Sequence, residues 1–406
     1  MIRLFLYAAV FFSSVVFWEP APYEFFCILA LFFALFRFDQ IKAFITENPW
    51  PFRIFCFFIG SNFISFLFNS RDWVSFAYLA VTTYLAFTVL LVIFFLDRDD
   101  VRKIFWISSI GLLVTSVIAL AAYFDLVSHT IVPTGSYRLK AFFKDPNVYA
   151  AFIVPHLFFL CHELRGSSLK KNIFIIGLIG IFTTCFFLTY SRGGLINLLG
   201  GGCAFLFYLF FAGRLSAPWL RRRIFVAAAG LLICFLLILQ TNTFFAEKFI
   251  SRLQVVDHSN LGRLSVQIKG FDIWAGTDLG DGLSFVERFE DEVLGGEKGA
   301  RGLAPVPANP LARWAFGIGP GRWEEVIPFS AHGLYARALV EQGLLGFGVL
   351  LFILFTVLRG LYKKKDDPMA LVLFCSIAGI MVQSLVIDTV HWRHFYLLVG
   401  LALKVR

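Results

Sequence analysis

Long apolar runs recur along almost the whole chain, and they constrain its fold more than any other feature. Hydrophobic residues make up 59% of the sequence and charged residues 16%, whereas ordinary soluble domains contain roughly 45–50% and about 25%. Apolar surface in that excess has to face lipid, and a helix needs about 20 apolar residues to cross a bilayer. The sequence therefore predicts an all-α polytopic membrane protein.

Dividing the runs at that length predicts twelve transmembrane helices. They lie near residues 2–18, 23–38, 52–68, 73–96, 104–124, 147–164, 173–190, 193–212, 224–240, 335–358, 370–388 and 392–404. One long polar interval separates the ninth and tenth predicted transmembrane helices. We therefore expect transmembrane helices in 1–240, a large loop with short helices in 241–334, and transmembrane helices in 335–406.

The positive charges predict the orientation of these helices. Short loops on the N-terminal side of the membrane would hold 20 Lys and Arg residues, and those on the opposite side six. Because short cytoplasmic loops are enriched in Lys and Arg, both termini are predicted to be cytoplasmic and the long loop extracytoplasmic. Topology also accounts for the formal net charge of +9, so no nucleic-acid partner is expected.

Several cationic residues fall on the outer side, where positive charge is scarce. Arg138, Lys140 and Lys144 precede Pro146-Asn147, which opens a helix, and such a helix start can bind an anion. Arg192 lies in a tight turn between predicted spans, where a membrane-embedded arginine is costly without an anionic partner. Snorkelling at the interface is the structural alternative.

Weaker candidates lie in and after the long loop. Arg263 follows Gly262, and Arg322 ends the glycine-rich turn Gly317 to Gly321. His332 lies just before the tenth predicted span, with Tyr335 three residues later and Glu341 about two turns further on. An imidazole takes up a proton near neutral pH, although a lone histidine is more commonly a helix-capping residue.

Together these motifs resemble the O-antigen ligase and O-antigen polymerase superfamily. The matching elements are Gly-x-x-Arg138 with Pro146-Asn147, then Ser191-Arg192-Gly193, Gly262-Arg263, Gly-Ile-Gly319-Pro-Gly, and His332 with Glu341-x-Gly343. They occur in the family's order and on the predicted outer side. Gly333 departs from the family pattern, which often has Asn there, and the acidic stretch from Asp278 to Glu297 looks like an insertion.

The resemblance implies a GT-C-like glycosyltransferase in a bacterial inner (cytoplasmic) membrane, with its active site facing the periplasm. It implies an undecaprenyl-diphosphate-linked glycan as donor and a hydroxyl of lipid A-core, or another glycolipid or glycan, as acceptor. Arg138, Arg192 and Arg263 match the arginines that bind the donor diphosphate, and His332 matches the histidine implicated in transfer. Supporting roles are expected for Lys144, Asn147, Arg322, Tyr335 and Glu341.

We expect neither a cofactor nor a catalytic metal. Fixed guanidinium groups can stabilise the negative charge that develops on a departing diphosphate. The compact acidic cluster of a short loop, Asp97, Asp99 and Asp100, falls on the predicted inner side, and the seven cysteines show no metal-binding spacing. If His332 accepts the proton of the acceptor hydroxyl, the transfer inverts the anomeric carbon; the alternative is that His332 only orients the acceptor.

Other functions remain open on the sequence alone. A ligase, a polymerase of polysaccharide repeat units and a protein glycosyltransferase would share this chemistry. A transporter or flippase of lipid-linked sugars could also have a dozen spans. Transporters bury charges and break helices near the bilayer midplane, whereas the cations here lie at the outer ends of spans. This position favours catalysis at the membrane surface.

Overall fold

The computed structural model describes residues 1–69, 72–128, 138–164, 168–211, 247, 258–276, 309–327, 329–364 and 366–405. Helices are the only regular secondary structure in these ranges. The helices before residue 212 are α1 (Ile2–Phe11), α2 (Pro22–Leu35), α3 (Phe38–Glu47), α4 (Pro49–Phe68), α5 (Trp73–Phe95), α6 (Asp100–Tyr123), α7 (Pro146–Glu163), α8 (Leu169–Leu188) and α9 (Arg192–Phe211). Those after residue 257 are α10 (His258–Ala275), α11 (Pro310–Phe316), α12 (Trp323–Val326), α13 (Leu334–Lys363), α14 (Pro368–Gln383) and α15 (Arg393–Val405).

Six of the described helices are long and apolar enough to cross a bilayer, namely α4, α5, α6, α8, α9 and α13. The segments 2–14, 22–35 and 368–383 are apolar but shorter. The prediction of an all-α membrane fold is confirmed, while the number of twelve spans stays a prediction. The ninth predicted span, 224–240, and the acidic stretch Asp278 to Glu297 lie outside the described residues.

Two helical segments near the N-terminus differ from the expected spans. The first expected span reached residue 18, but α1 ends at Phe11, and a 3₁₀ turn continues only to Ser14. The second difference is α3, which occupies what the sequence suggested was a connection and contains no fully buried residue. Phe44 of α3 contacts Phe94 of α5 with ring centroids 5.2 Å apart. An amphipathic helix of this kind suits the membrane interface.

Small residues bring α9 and α14 together. A Cβ added at Gly379 would lie 2.6 Å from the Asn197 carbonyl oxygen, and one at Gly201 would lie 2.8 Å from the Cys375 carbonyl oxygen. Between these helices the Asn197 side-chain amide donates to Oε1 of Gln383 at 2.7 Å, and both residues are buried. Close backbone approach and interhelical hydrogen bonds stabilise helix pairs in lipid. The contact places the start of α9 beside the end of α14.

Ion pairs connect helices at both ends of the bundle. At the end predicted to be cytoplasmic, Arg3 contacts Asp97 at 2.7 Å, and Arg102 contacts Glu163 at 2.7 Å. At the opposite end, Lys144 before α7 contacts Glu19 at 2.5 Å, and Arg393 of α15 pairs with Glu24 of α2. The contacts therefore place residues 138–147 and the start of α15 at the same end.

Candidate functional site

A hydrogen-bond network joins two of the predicted motifs. Arg138 donates from Nε to the Thr189 carbonyl oxygen at 2.8 Å and from a terminal guanidinium nitrogen to Oδ1 of Asn147 at 3.0 Å. The Ser191 hydroxyl donates to the same Asn147 oxygen at 2.7 Å and accepts the N–H of Gly194 at 2.9 Å. Residues more than 40 positions apart in sequence thus form one polar cluster.

Local structure at the start of α7 explains the position of this cluster. Asp145 is the N-cap of α7 and accepts the N–H of Asn147 at 2.5 Å, while Pro146 occupies the first helical position. The segment before the helix is hydrogen-bonded to the end of α8, because the N–H of Leu139 donates to the Leu188 carbonyl at 2.9 Å. Arg138 therefore faces the turn between α8 and α9.

The paired glycines at the start of α9 permit two close contacts. A Cβ on Gly193 would lie 2.3 Å from Cδ1 of Ile387, and one on Gly194 would lie 2.6 Å from Cβ of Ala150. A side chain on Gly194 would meet Ala150 of α7, and one on Gly193 would require Ile387 to move. Arg192, half-buried as the first residue of α9, is held beside these two elements.

Hydrogen bonds place His332 close to the end of α14 and the segment that follows it, and therefore near the start of α9. The backbone of His332 has φ +49°, in the left-handed region that is sparsely populated by residues other than glycine. The Gln267 side-chain amide of α10 donates to the His332 carbonyl at 2.8 Å and to the Leu385 carbonyl at 3.2 Å. The N–H of Leu334 donates to the Ser384 carbonyl at 2.9 Å. The surrounding structure therefore fixes an unfavourable backbone, which is a common feature of functional sites.

Burial and neighbouring charges determine the protonation state of His332. Burial, followed by the charge of the Arg263 guanidinium, lowers the pKa of the imidazole from 6.5 to about 4, while Asp388 and Asp145 act in the opposite direction. These three residues are therefore close enough to the imidazole to shift its pKa. His332 is neutral at physiological pH and is in the form that can accept a proton.

The structure thus brings most of the main candidates to one end of the bundle. Arg138, Asn147 and Ser191 are in contact, the cap residue Asp145 lies near His332, and Arg263 is a half-buried neighbour of His332.

The remaining candidates make structural contacts outside the Arg138–Asn147–Ser191 network. Lys144 forms the ion pair with Glu19, and the Tyr335 hydroxyl donates to the Met381 carbonyl at 2.9 Å. Arg322 is buried and pairs with Glu325 at 3.1 Å. The Glu341 carboxylate accepts the N–H of Trp323 at 3.1 Å and joins α12 to α13.

Sequence reasoning missed a buried ionic cluster next to His332. Arg337, in the first turn of α13, contacts Glu341 at 3.3 Å and Asp388 at 2.8 Å, and it also pairs with Glu324. Its guanidinium lies 5.6 Å from the ring centroid of Tyr78. The available signal was an arginine four residues before Glu341 in an apolar helix, since such charges are rarely placed in membrane segments without a partner.

This arrangement combines a neutral imidazole with arginines and carboxylates whose positions are fixed. Such a site can bind an anionic group through guanidinium donors and can remove a proton from a hydroxyl. The two carboxylates near His332 would stabilise the imidazolium that proton uptake creates. No protein-family model matches this chain, and no curated protein matches it.

Proposed function

We propose that this chain is a membrane glycosyltransferase of the O-antigen ligase type. It transfers a glycan from undecaprenyl diphosphate to an acceptor hydroxyl, with lipid A-core as the first candidate acceptor, on the periplasmic face of the bacterial inner membrane. The observation that carries the proposal is the convergence of Arg138, Asn147 and Ser191 with Asp145, His332 and Arg263 at one bundle end. These residues come from motifs spread over about 190 positions.

The arginines serve the leaving group. As the acceptor oxygen attacks the anomeric carbon, the bond from that carbon to the phosphate oxygen breaks, and undecaprenyl diphosphate departs with the electron pair. Arg192 and Arg263 stabilise the charge that develops on it, and Arg138 holds the turn that positions Arg192. Fixed donors of this kind lower the energy of the transition state more than that of the ground state.

His332 takes the proton from the acceptor hydroxyl. The depressed pKa of His332 keeps the ring neutral, and a bound diphosphate would raise the basicity of the ring because its negative charge offsets that of Arg263. Attack from the face opposite the diphosphate inverts the anomeric configuration. The proton stays on the imidazolium of His332, beside the carboxylates of Asp388 and Asp145, until it is released to solvent.

The decisive experiment is incubation of the purified protein with undecaprenyl-diphosphate-linked glycan, with and without lipid A-core. Glycan transferred to lipid A-core supports a ligase, and repeat-unit ladders formed without it indicate a polymerase. Movement of intact donor across a vesicle membrane, with no glycan transfer, would indicate a flippase and would refute the proposal.

The same assay tests metal independence. Activity should persist in excess chelator, because guanidinium groups and not a divalent cation are proposed to neutralise the diphosphate. Complete loss of activity in chelator, restored by magnesium or manganese, would contradict this part of the proposal.

A further inference from the structure

A charged cavity lies at the opposite end of the bundle from the candidate site. It has a volume of about 1070 Å³ and is formed where α6, α8 and α14 begin and where α7, α13 and α15 end. Its lining contains six cationic side chains, namely Arg98, Arg102, Lys103, Lys171, Lys363 and Lys364. Four carboxylates also line it, which leaves an excess of two positive charges.

Most of these cations are neutralised by carboxylates. Glu163 accepts two hydrogen bonds from Arg102, at 2.8 and 2.7 Å, and contacts Lys171 at 3.3 Å. Asp367 accepts a hydrogen bond from Nε of Arg98 at 3.0 Å. Lys103 contacts Asp100 at 3.0 Å. These pairs hold α6, α7, α8 and α14 together and fix the shape of the cavity wall.

Lys363 and Lys364 differ from the other four cations. Both side chains are exposed, and neither forms an ion pair with any residue in the described part of the chain. Two ammonium groups beside a wall of ion-paired residues form a site for an anion with several oxygen atoms.

The lining is also partly apolar. Trp106, Met369 and Val405 contribute to it, and the Lys171 ammonium lies 5.9 Å from the Trp106 ring centroid. Tryptophan is enriched at the level of lipid headgroups, and basic pockets between transmembrane helices bind anionic headgroups. A ligand with a charged phosphate and an adjoining apolar part fits this combination.

We propose that this cavity binds a phosphate group through Lys363 and Lys364, carried by an anionic phospholipid or free in solution. The site is separate from the proposed catalytic centre, since its residues come from the opposite ends of the helices. A lipid phosphate bound there would connect the end of α13 to the starts of α14, α6 and α8.

The test compares K363Q/K364Q with the control pair K42Q/K170Q in the full-length protein. The control lysines are also exposed but do not line the cavity. Native mass spectrometry during titration with phosphatidylglycerol or phosphatidylcholine measures lipid binding. Thermal unfolding in inorganic phosphate against chloride of equal ionic strength measures binding of the free anion.

Wild-type protein should bind phosphatidylglycerol in preference to phosphatidylcholine, or be stabilised by inorganic phosphate. The first result would identify a phospholipid as the source of the phosphate, and the second would identify the free anion. K363Q/K364Q should weaken that binding by about tenfold or more, whereas K42Q/K170Q and the charge-preserving K363R/K364R should retain it. Equal binding by wild type and K363Q/K364Q, or no response of the wild type in either arm, would overturn the proposal.

Discussion

At the scale of single residues, His332 combines a strained backbone with a low proton affinity. The φ of +49° is retained because Gln267 and Ser384 hold the flanking backbone. Burial, and then the charge of Arg263, lowers the pKa of the imidazole to about 4. Both features belong to the same residue, which makes His332 the most informative position for testing the mechanism.

We expect the pH dependence to report this depressed pKa. If neutral His332 is the base, kcat/KM should stay high as the pH falls through 6.5 and decline only near the pKa of about 4. In R263Q the acid limb should move to higher pH, because one cause of the depression is removed. An acid limb at the ordinary pKa of histidine in wild type would contradict this account.

Removal of the imidazole should slow the chemical step without preventing donor binding. H332A is expected to lose activity by on the order of a hundredfold or more, since His332 is the group proposed to take the acceptor proton. Binding of labelled donor and the amount of folded protein should remain close to wild type. Wild-type transfer rates in H332A would exclude His332 from the mechanism.

Arg192 tests the geometry of anion recognition separately from its charge. R192K keeps the positive charge but replaces a planar fork of donors with a single ammonium, so activity should fall by about tenfold or more and donor binding should weaken. R53K, at an exposed position of α4, is the matched control and should remain active. Equal activity of R192K and wild type would mean that Arg192 acts only as a topological anchor.

At the scale of secondary-structure elements, α13 depends on a break in its helical geometry. Gly343 has φ 65° and ψ −169° inside this helix, where α11 packs closely against it. A Cβ there would lie 2.4 Å from the carbonyl carbon and oxygen of Ala315. The glycine therefore permits both the left-handed backbone and the contact between these two helices.

Gly343 and Gly348 provide a matched pair for measuring this requirement. G343A should lower the free energy of unfolding by roughly 1–3 kcal/mol, because the added methyl group meets backbone atoms and the positive φ is unfavourable. G348A should be neutral or slightly stabilising, because a Cβ there meets no heavy atom within 4 Å. Thermal unfolding in detergent measures both, and equal midpoints would refute the argument.

At the scale of the whole molecule, charge asymmetry across the membrane predicts the topology. Cysteines placed singly in a cysteine-free background should be labelled from outside the cell at position 296, in the long loop, and should be protected at position 364. Labelling after membrane permeabilisation controls for reactivity at position 364. Labelling at 364 in intact cells, with none at 296, would reverse the proposed orientation and move the candidate site to the cytoplasm.

The length and position of the apolar runs were enough to predict the fold class and many helix positions. Spans predicted at 73–96 and 147–164 correspond to helices Trp73–Phe95 and Pro146–Glu163, because lipid requires apolar runs whose backbone hydrogen bonds are satisfied internally. Local sequence also marked the start of α7, where Pro146 occupies its favoured first position. Such properties depend on residues close together in the chain.

The contacts between polar residues could not be predicted in this way. The Arg138–Asn147–Ser191 network and the charges around His332 depend on how α7, α9 and the segment after α14 pack, and periodicity does not encode that packing. Arg337 was missed because its partners Glu324 and Asp388 are 13 and 51 positions away in the chain. Ion pairs between distant segments form only after the helices have packed, so the local spacing of Arg337 and Glu341 indicated one charged pair but not the rest of the cluster.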